Sequence, residues 1–222
     1  MNRKKDQPET VGLFLLLYIN YCYFCVLFSS PLIITAEIAR SWLEYQSLPD
    51  REWRKDYFNW ETGGYVATHV LKEIDNLKRP GIAAEVKACH ELARIGKRIL
   101  RLPENTPNQI DSIIIDGKTY RELLKFKPGS GKPRGYPDAY FDGQTWDFKA
   151  PGFKKDDTIR QLIKNGRKAD NLIFITEYSN HIESTKKAIG REYGKRITDN
   201  SWIDLPNVYC QSQGELIQIW IK

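Results

Sequence analysis

The chain is 222 residues long, 41% hydrophobic and 28% charged, with 15 Gly and 11 Pro, which is too apolar for disorder and too poor in Gly and Pro for a fibrous protein. That length supports one core of ordinary size rather than a multidomain assembly. A mean hydropathy of -0.53 excludes a polytopic membrane protein, and a formal net charge of +6 suits an anionic partner such as nucleic acid or a membrane surface.

Residues 1–36 carry Arg3, Lys4 and Lys5 against Asp6 and Glu9, so most of the positive excess belongs to the rest of the chain. From Val11 to Ala36 there is no charge, and about 20 such residues span a bilayer. This segment is expected to be an N-terminal hydrophobic helix, either an anchor or uncleaved signal, a cleaved signal, or a buried helix that the following domain does not need. Basic residues on both sides, including Arg40, Arg51, Arg54 and Lys55, leave its orientation open. Cys22 and Cys25 have the spacing of half a metal or redox motif, but Cys89 and Cys210 stand alone and supply no second pair. His69, His90 and His181 are equally dispersed.

Residues 37–56 are polar with interspersed Trp42, Tyr45 and Trp53, and are expected to be a linker or connecting helix. A domain is expected over 57–222. Within it, Glu61 to Gly64 form a turn and Tyr65 to Val70 have strand composition. Pro80-Gly81 opens a helix over Ile82 to Lys97, whose apolar stripe uses Ala83, Val86, Leu92 and Ile95. Short apolar runs follow at Ile99 to Leu102 and Ile110 to Ile115, the second ending in the Asp116-Gly117 turn. A hairpin is expected from Tyr136 to Ala150 about Asp142-Gly143, a pair that favours a two-residue type I′ connection. Then come a helix near Asp157 to Arg167, a strand Leu172 to Thr176, a helix near Ile182 to Arg196, and two terminal strands. The fold class is α/β with a mixed β-sheet flanked by helices.

The hairpin carries the chemistry. With Asp142 and Gly143 as turn residues, paired residue numbers sum to 285, which sets Asp138 opposite Asp147. Side chains so paired share a face with β-carbons about 5 Å apart, where like charges repel. Lys149 falls on that face by strand alternation. Either the three charges form a solvent-facing ion cluster, or a hard divalent cation, Mg²⁺ or Mn²⁺, neutralises the carboxylates while Lys149 assists the reaction. Lys127, Lys132 and Arg134 lie in a Gly/Pro-rich stretch just before the hairpin and Lys154 and Lys155 just after it, positions suited to phosphate or to plain solvation.

Pro137-Asp138 followed by Asp147-Phe148-Lys149 resembles the signature of the PD-(D/E)xK nuclease superfamily, over roughly Tyr57 to Lys222. The resemblance implies a restriction-endonuclease-like core, metal-dependent phosphodiester hydrolysis, and a third acid on the preceding helix, matched here by Glu85. It also implies an auxiliary polar residue at the start of the next helix, matched by Gln161. Thr62-Gly63-Gly64-Tyr65 and the compact Asp147-Phe148-Lys149-Ala150 are most similar to C-terminal toxin nuclease domains of contact-dependent inhibition systems. Those imply RNA, particularly tRNA, as substrate, a cognate immunity protein as partner, and action in the cytoplasm of a target cell. A DNA endonuclease of the same fold, or a membrane-anchored protein that binds without cleaving, are the alternatives.

Overall fold

The computed structural model describes residues 34–72, 80–104, 110–150, 162–163, 165–175, 183, 186–187, 189–191, 193–194, 206–212 and 215–220. Most of the apolar segment 11–36 falls outside them, as do Lys154, Lys155 and Gln161. Among the described residues no helix is long and apolar enough to cross a membrane.

The fold is α/β, a mixed sheet flanked by helices. In chain order the elements are helix α1 (Ala36–Ser47), strands β1 (Trp53–Phe58) and β2 (Tyr65–His69), helix α2 (Pro80–Arg94), strands β3 (Arg98–Arg101), β4 (Ile114–Ile115) and β5 (Lys118–Thr119), and the short helix α3 (Tyr120–Leu123). Strands β6 (Ala139–Phe141), β7 (Gln144–Lys149), β8 (Asn171–Ile175), β9 (Asn207–Ser212) and β10 (Glu215–Trp220) complete it, with a one-turn 3₁₀ helix at Gly166–Lys168. Helical residues at Leu162 and Ile163, and between Glu183 and Gly194, flank β8 in sequence.

Eight strands form one sheet in the order β1-β2-β3-β6-β7-β8-β9-β10. β3, β6 and β7 run as an antiparallel meander, and β8 then lies parallel to β7 after a crossover. The β6–β7 register is Ala139↔Trp146, Tyr140↔Thr145 and Phe141↔Gln144, the register expected from the turn. Asp142 and Gly143 have φ of 53° and 74°, the two positive values that a type I′ turn requires.

Strand alternation divides the core between the two faces of the sheet. Val66, Ile99, Ala139, Phe141, Trp146, Phe148 and Ile173 pack with Ala88, Cys89, Leu92 and Ala93 of α2. The intervening residues face the other way. Tyr65, Ala67 and Tyr140 pack with Tyr45, Trp53, Ile110, Ile113, Ile115 and Tyr120 at one end of that face. Leu172, Phe174, Val208 and Cys210 pack with Ile163, Ile189 and Tyr193 at the other. Asp147 and Lys149 alternate with Trp146 and Phe148, so they lie on this second face, between its two apolar clusters.

The segment 37–56, expected as a linker or connecting helix, lies within the compact unit Ala36–Lys222. A helix does form there, but Ile38, Ser41 and Tyr45 of α1 are buried, and Ser41 donates to the Gly63 carbonyl. β1 adds an antiparallel edge strand to β2. The turn at Gly63-Gly64 lets the end of α2 close onto it, since a β-carbon on Gly64 would stand 1.9 Å from the Ala93 carbonyl oxygen.

Candidate active site

Two carboxylates sit at the mouth of the β6–β7 hairpin, Asp147 fully buried and Asp138 6% exposed. The ladder departs from ideal geometry at Asp138. Its N–H donates to the Trp146 carbonyl at 2.9 Å, and its Oδ2, rather than a backbone oxygen, accepts the Phe148 N–H at 2.8 Å. A carboxylate thus stands in the ladder, anchored by a main-chain donor on the neighbouring strand.

Two ammonium groups answer the pair. Lys149 Nζ lies 2.8 Å from both oxygens of Asp147 but has hydrogen-bond geometry only to Oδ1, so buried Oδ2 has an ion contact and no hydrogen bond. Lys168 Nζ bridges the pair, 2.9 Å from Asp138 Oδ1 and 2.8 Å from Asp147 Oδ1. Burial pushes Asp147 up to about 7, and the Asp138 carboxylate adds to this against the two lysines. Burial would raise Asp138 too, but Lys168 and then Lys149 hold it well below the usual carboxylate range. The titration belongs to the pair, which retains one proton far more readily than a lone aspartate does. Burial disfavours the Lys168 ammonium, yet Asp138 and Asp147 overcome this and raise it.

Lys168 is held in a built position. It ends the 3₁₀ turn, whose following residues are clamped: Lys125 Nζ donates to the Ala169 carbonyl at 2.7 Å and pairs with Asp170 at 3.0 Å. Asp170 in turn accepts from the Thr145 N–H at 3.0 Å and its hydroxyl at 2.7 Å. The Lys168 stem lies against Gly135, at φ 153°, where a β-carbon would be 3.2 Å from Lys168 Cδ.

Above the pair is a cavity of about 530 Å³ lined by Lys127, Arg134, Lys149, Asn165, Arg167 and Lys168. Five of the six are cationic, and two of these are the lysines on the aspartates. Lys127 and Arg134 are presented by a tight loop in which Phe126 bridges Pro133 and the Arg134 N–H donates to the Lys125 carbonyl at 2.7 Å. Lys132 faces Lys127 across that loop through a main-chain bond of 2.9 Å; it is exposed and does not line the cavity.

Of the residues singled out in the sequence, Asp138, Asp147 and Lys149 are brought together, and Lys127 and Arg134 line the cavity beside them. Glu85 is not brought to the aspartates. Its Oε1 lies 2.9 Å from Arg101 Nη2 and 3.1 Å from Lys72 Nζ. Arg101 alternates with Leu100 and Leu102 and so falls on the α2 face of the sheet, opposite to Asp147, which explains why α2 offers Glu85 to an arginine instead. Lys72 also reaches Glu104 Oε1 at 3.0 Å. The sequence reading missed Asn165, Arg167 and Lys168. Nothing local marks them, because the crossover from β7 to β8 is what carries them back over the hairpin.

The donor set fits a hard divalent ion. Both ligands are carboxylates, one buried oxygen lacks a hydrogen bond, and Mg²⁺ commonly takes only one or two protein carboxylates, with waters and substrate phosphate completing its shell. Among the described residues no group of three or more His, Cys, Asp or Glu side chains could hold a metal. Comparisons with family models, curated proteins and solved structures return no match.

Proposed function

We propose that the domain is a nuclease that hydrolyses phosphodiester bonds, with RNA as its first substrate. One observation carries the reading: Asp138 and Asp147 lie buried against Lys149 and Lys168, and these two lysines line a cavity whose other walls are mostly cationic. Asp138 and Asp147 are the residues that would hold Mg²⁺ or Mn²⁺, an ion that makes bound water more acidic and stabilises phosphorane charge. Lys149 touches Asp147 and also lines the cavity, so its ammonium can orient a water while offsetting charge on a non-bridging phosphate oxygen. Lys127, Arg134 and Arg167 neutralise phosphates that enter from the open side, fixing the strand without reading its bases.

The order helix, three-strand meander, crossover and parallel strand supports the resemblance to PD-(D/E)xK nucleases. The likeness to contact-dependent inhibition toxins favours tRNA, with a cognate immunity protein as partner and delivery by residues 11–36 through or onto a membrane. A second reading, a nuclease-like protein that binds polyanions without cleaving them, draws on the placement of Lys168 across both carboxylates. Incubating the full-length protein with total tRNA and with plasmid DNA, in Mg²⁺ and in EDTA, separates them. Cleavage that EDTA stops, and that Asp147→Ala and Lys149→Ala abolish, is expected; the absence of any cleavage selects the binding reading, and cleavage of DNA alone reverses the substrate.

A further inference from the structure

Lys168 holds two positions of consequence at once. Its ammonium makes charge-assisted bonds to one oxygen of each aspartate, the charge that a cation between them would supply, and it lines the cavity with Lys127, Arg134 and Arg167. Lys149 differs, since among the two aspartates it contacts only Asp147. We propose that Lys168 is an internal counter-ion that competes with the divalent cation for the Asp138–Asp147 pair and yields the carboxylates when phosphate occupies the cavity.

Two carboxylates this close, both buried, need a cation to coexist in charged form, and Lys168 meets that need without any ion. Gly135 leaves its bare α-carbon against the Lys168 stem, and Lys125 and Asp170 fix the turn that carries it, so the bridge is built into the backbone rather than made by a wandering surface lysine. The cavity also holds three further cations besides Lys149, and their repulsion keeps Lys168 on the aspartates. A bound phosphate reverses the sign of that field, drawing the ammonium into the cavity and exposing carboxylate oxygens. Anion and divalent cation therefore bind with positive coupling through one side chain, and the coupling is reciprocal.

The inference rests on the proposed metal-dependent nuclease, and direct measurement of Mn²⁺ binding separates the two. Full-length wild-type protein, Lys168→Met, Lys127→Met and Asp147→Asn are titrated with Mn²⁺, free ion being read by electron paramagnetic resonance, with and without sulfate as the tetrahedral anion. Lys168→Met is expected to bind Mn²⁺ more tightly than wild type by on the order of tenfold or more, the least that losing a charge-assisted hydrogen bond to the pair implies. Lys127→Met removes a cation of the same cavity that does not bridge the pair and should change affinity far less. Sulfate should tighten Mn²⁺ binding to wild type and leave Lys168→Met unmoved, and Asp147→Asn should lose the site.

Equal Mn²⁺ affinity in wild type and Lys168→Met, or equal gains from both lysine substitutions, overturns the competition and leaves the nuclease reading standing. No Mn²⁺ binding by wild type or either lysine variant overturns both. Thermal unfolding guards against a folding defect: Lys168→Met should melt below wild type in EDTA and gain more from Mn²⁺ than wild type gains. If Lys168→Met does not fold, Lys168→Gln is read by the same criteria.

Discussion

Replacing Glu85 with Ala separates two roles for that residue, an acid of the catalytic cluster or the counter-ion of a buried cation pair. The side chain is 13% exposed and its Oε1 contacts Arg101 and Lys72, themselves 2% and 5% exposed. Removing one partner of a buried ion pair costs about 3–5 kcal/mol because the other charge stays buried and uncompensated. Lys72 keeps Glu104 at 3.0 Å, and Arg101 keeps a weak bond to Thr68 Oγ1 at 3.4 Å, so the lower end, ~3 kcal/mol, is the appropriate figure. At about 2–4 °C per kcal/mol for a domain of this size, the melting midpoint should fall by about 6–12 °C. Glu85→Gln, which retains an acceptor for Arg101, should lose roughly half as much. The assay is thermal and urea unfolding of the full-length protein followed by circular dichroism, with an unchanged urea slope as the check that only stability moved. A Glu85→Ala protein that melts with or above wild type, yet no longer cleaves, would show that Glu85 is a strained catalytic acid and would refute its assignment as a counter-ion.

Gly64→Ala should be among the most damaging single substitutions, about 3 kcal/mol or more, because the added carbon meets main-chain oxygen at 1.9 Å; a urea midpoint near wild type would contradict the close approach of α2 to this turn. Arg167→Ala should weaken RNA binding in EDTA and reduce the slope of log affinity against log salt by about 1, read by fluorescence anisotropy; an unchanged slope removes Arg167 from the phosphate-binding wall. His69 is buried, its Nδ1 accepts the Leu71 N–H at 3.2 Å, and its ring stands edge-on to Trp53 at 5.1 Å. Burial holds it below its ordinary value of 6.5, with Glu52 opposing, so folding favours the neutral ring. Its contribution is complete above pH 6.5 and declines as pH falls from there through the folded-state value. His90 is shifted in the same direction, again by burial first, so His69→Asn should remove part of the decline in melting temperature, and an undiminished decline would exclude His69 as a source.

The hairpin was legible because turn chemistry fixes register: once Asp142 and Gly143 take positive φ, every pair along β6 and β7 follows, including the approach of Asp138 to Asp147. The start of α2 was legible from Pro80-Gly81, but the helix ends at Arg94 rather than Lys97, leaving Ile95 exposed and Gly96, at φ 93°, beyond its end. α1 and β1 were not legible. Three buried residues in the twelve of α1 and one in the six of β1 look like a solvated connector in sequence, and charged residues along β1 are what an edge strand carries to avoid pairing with other chains. A segment that touches the core on one narrow stripe has the composition of a linker even when it closes the sheet.

The functional residues divide along the same physical line. Asp138, Asp147 and Lys149 sit within one hairpin, where local geometry decides who faces whom. Glu85 meets Arg101 between α2 and the sheet face beneath it, and Lys168 and Arg167 return by a crossover, and there local spacing has no authority. Glu85 lies on a helix packed against one face of the sheet, and the alternation of β3 turns Arg101 toward it. Lys168 arrives by the opposite route: the parallel return from β7 to β8 brings it over the aspartates from a stretch with no distinguishing pattern. Two buried carboxylates with two half-buried ammoniums leave little net charge there, so in the proposed nuclease the attraction for a polyanion would come from Lys127, Arg134 and Arg167. On that proposal affinity and chemistry would be carried by different side chains, and Lys168, which contacts both aspartates and lines the cavity, is the one through which either could alter the other.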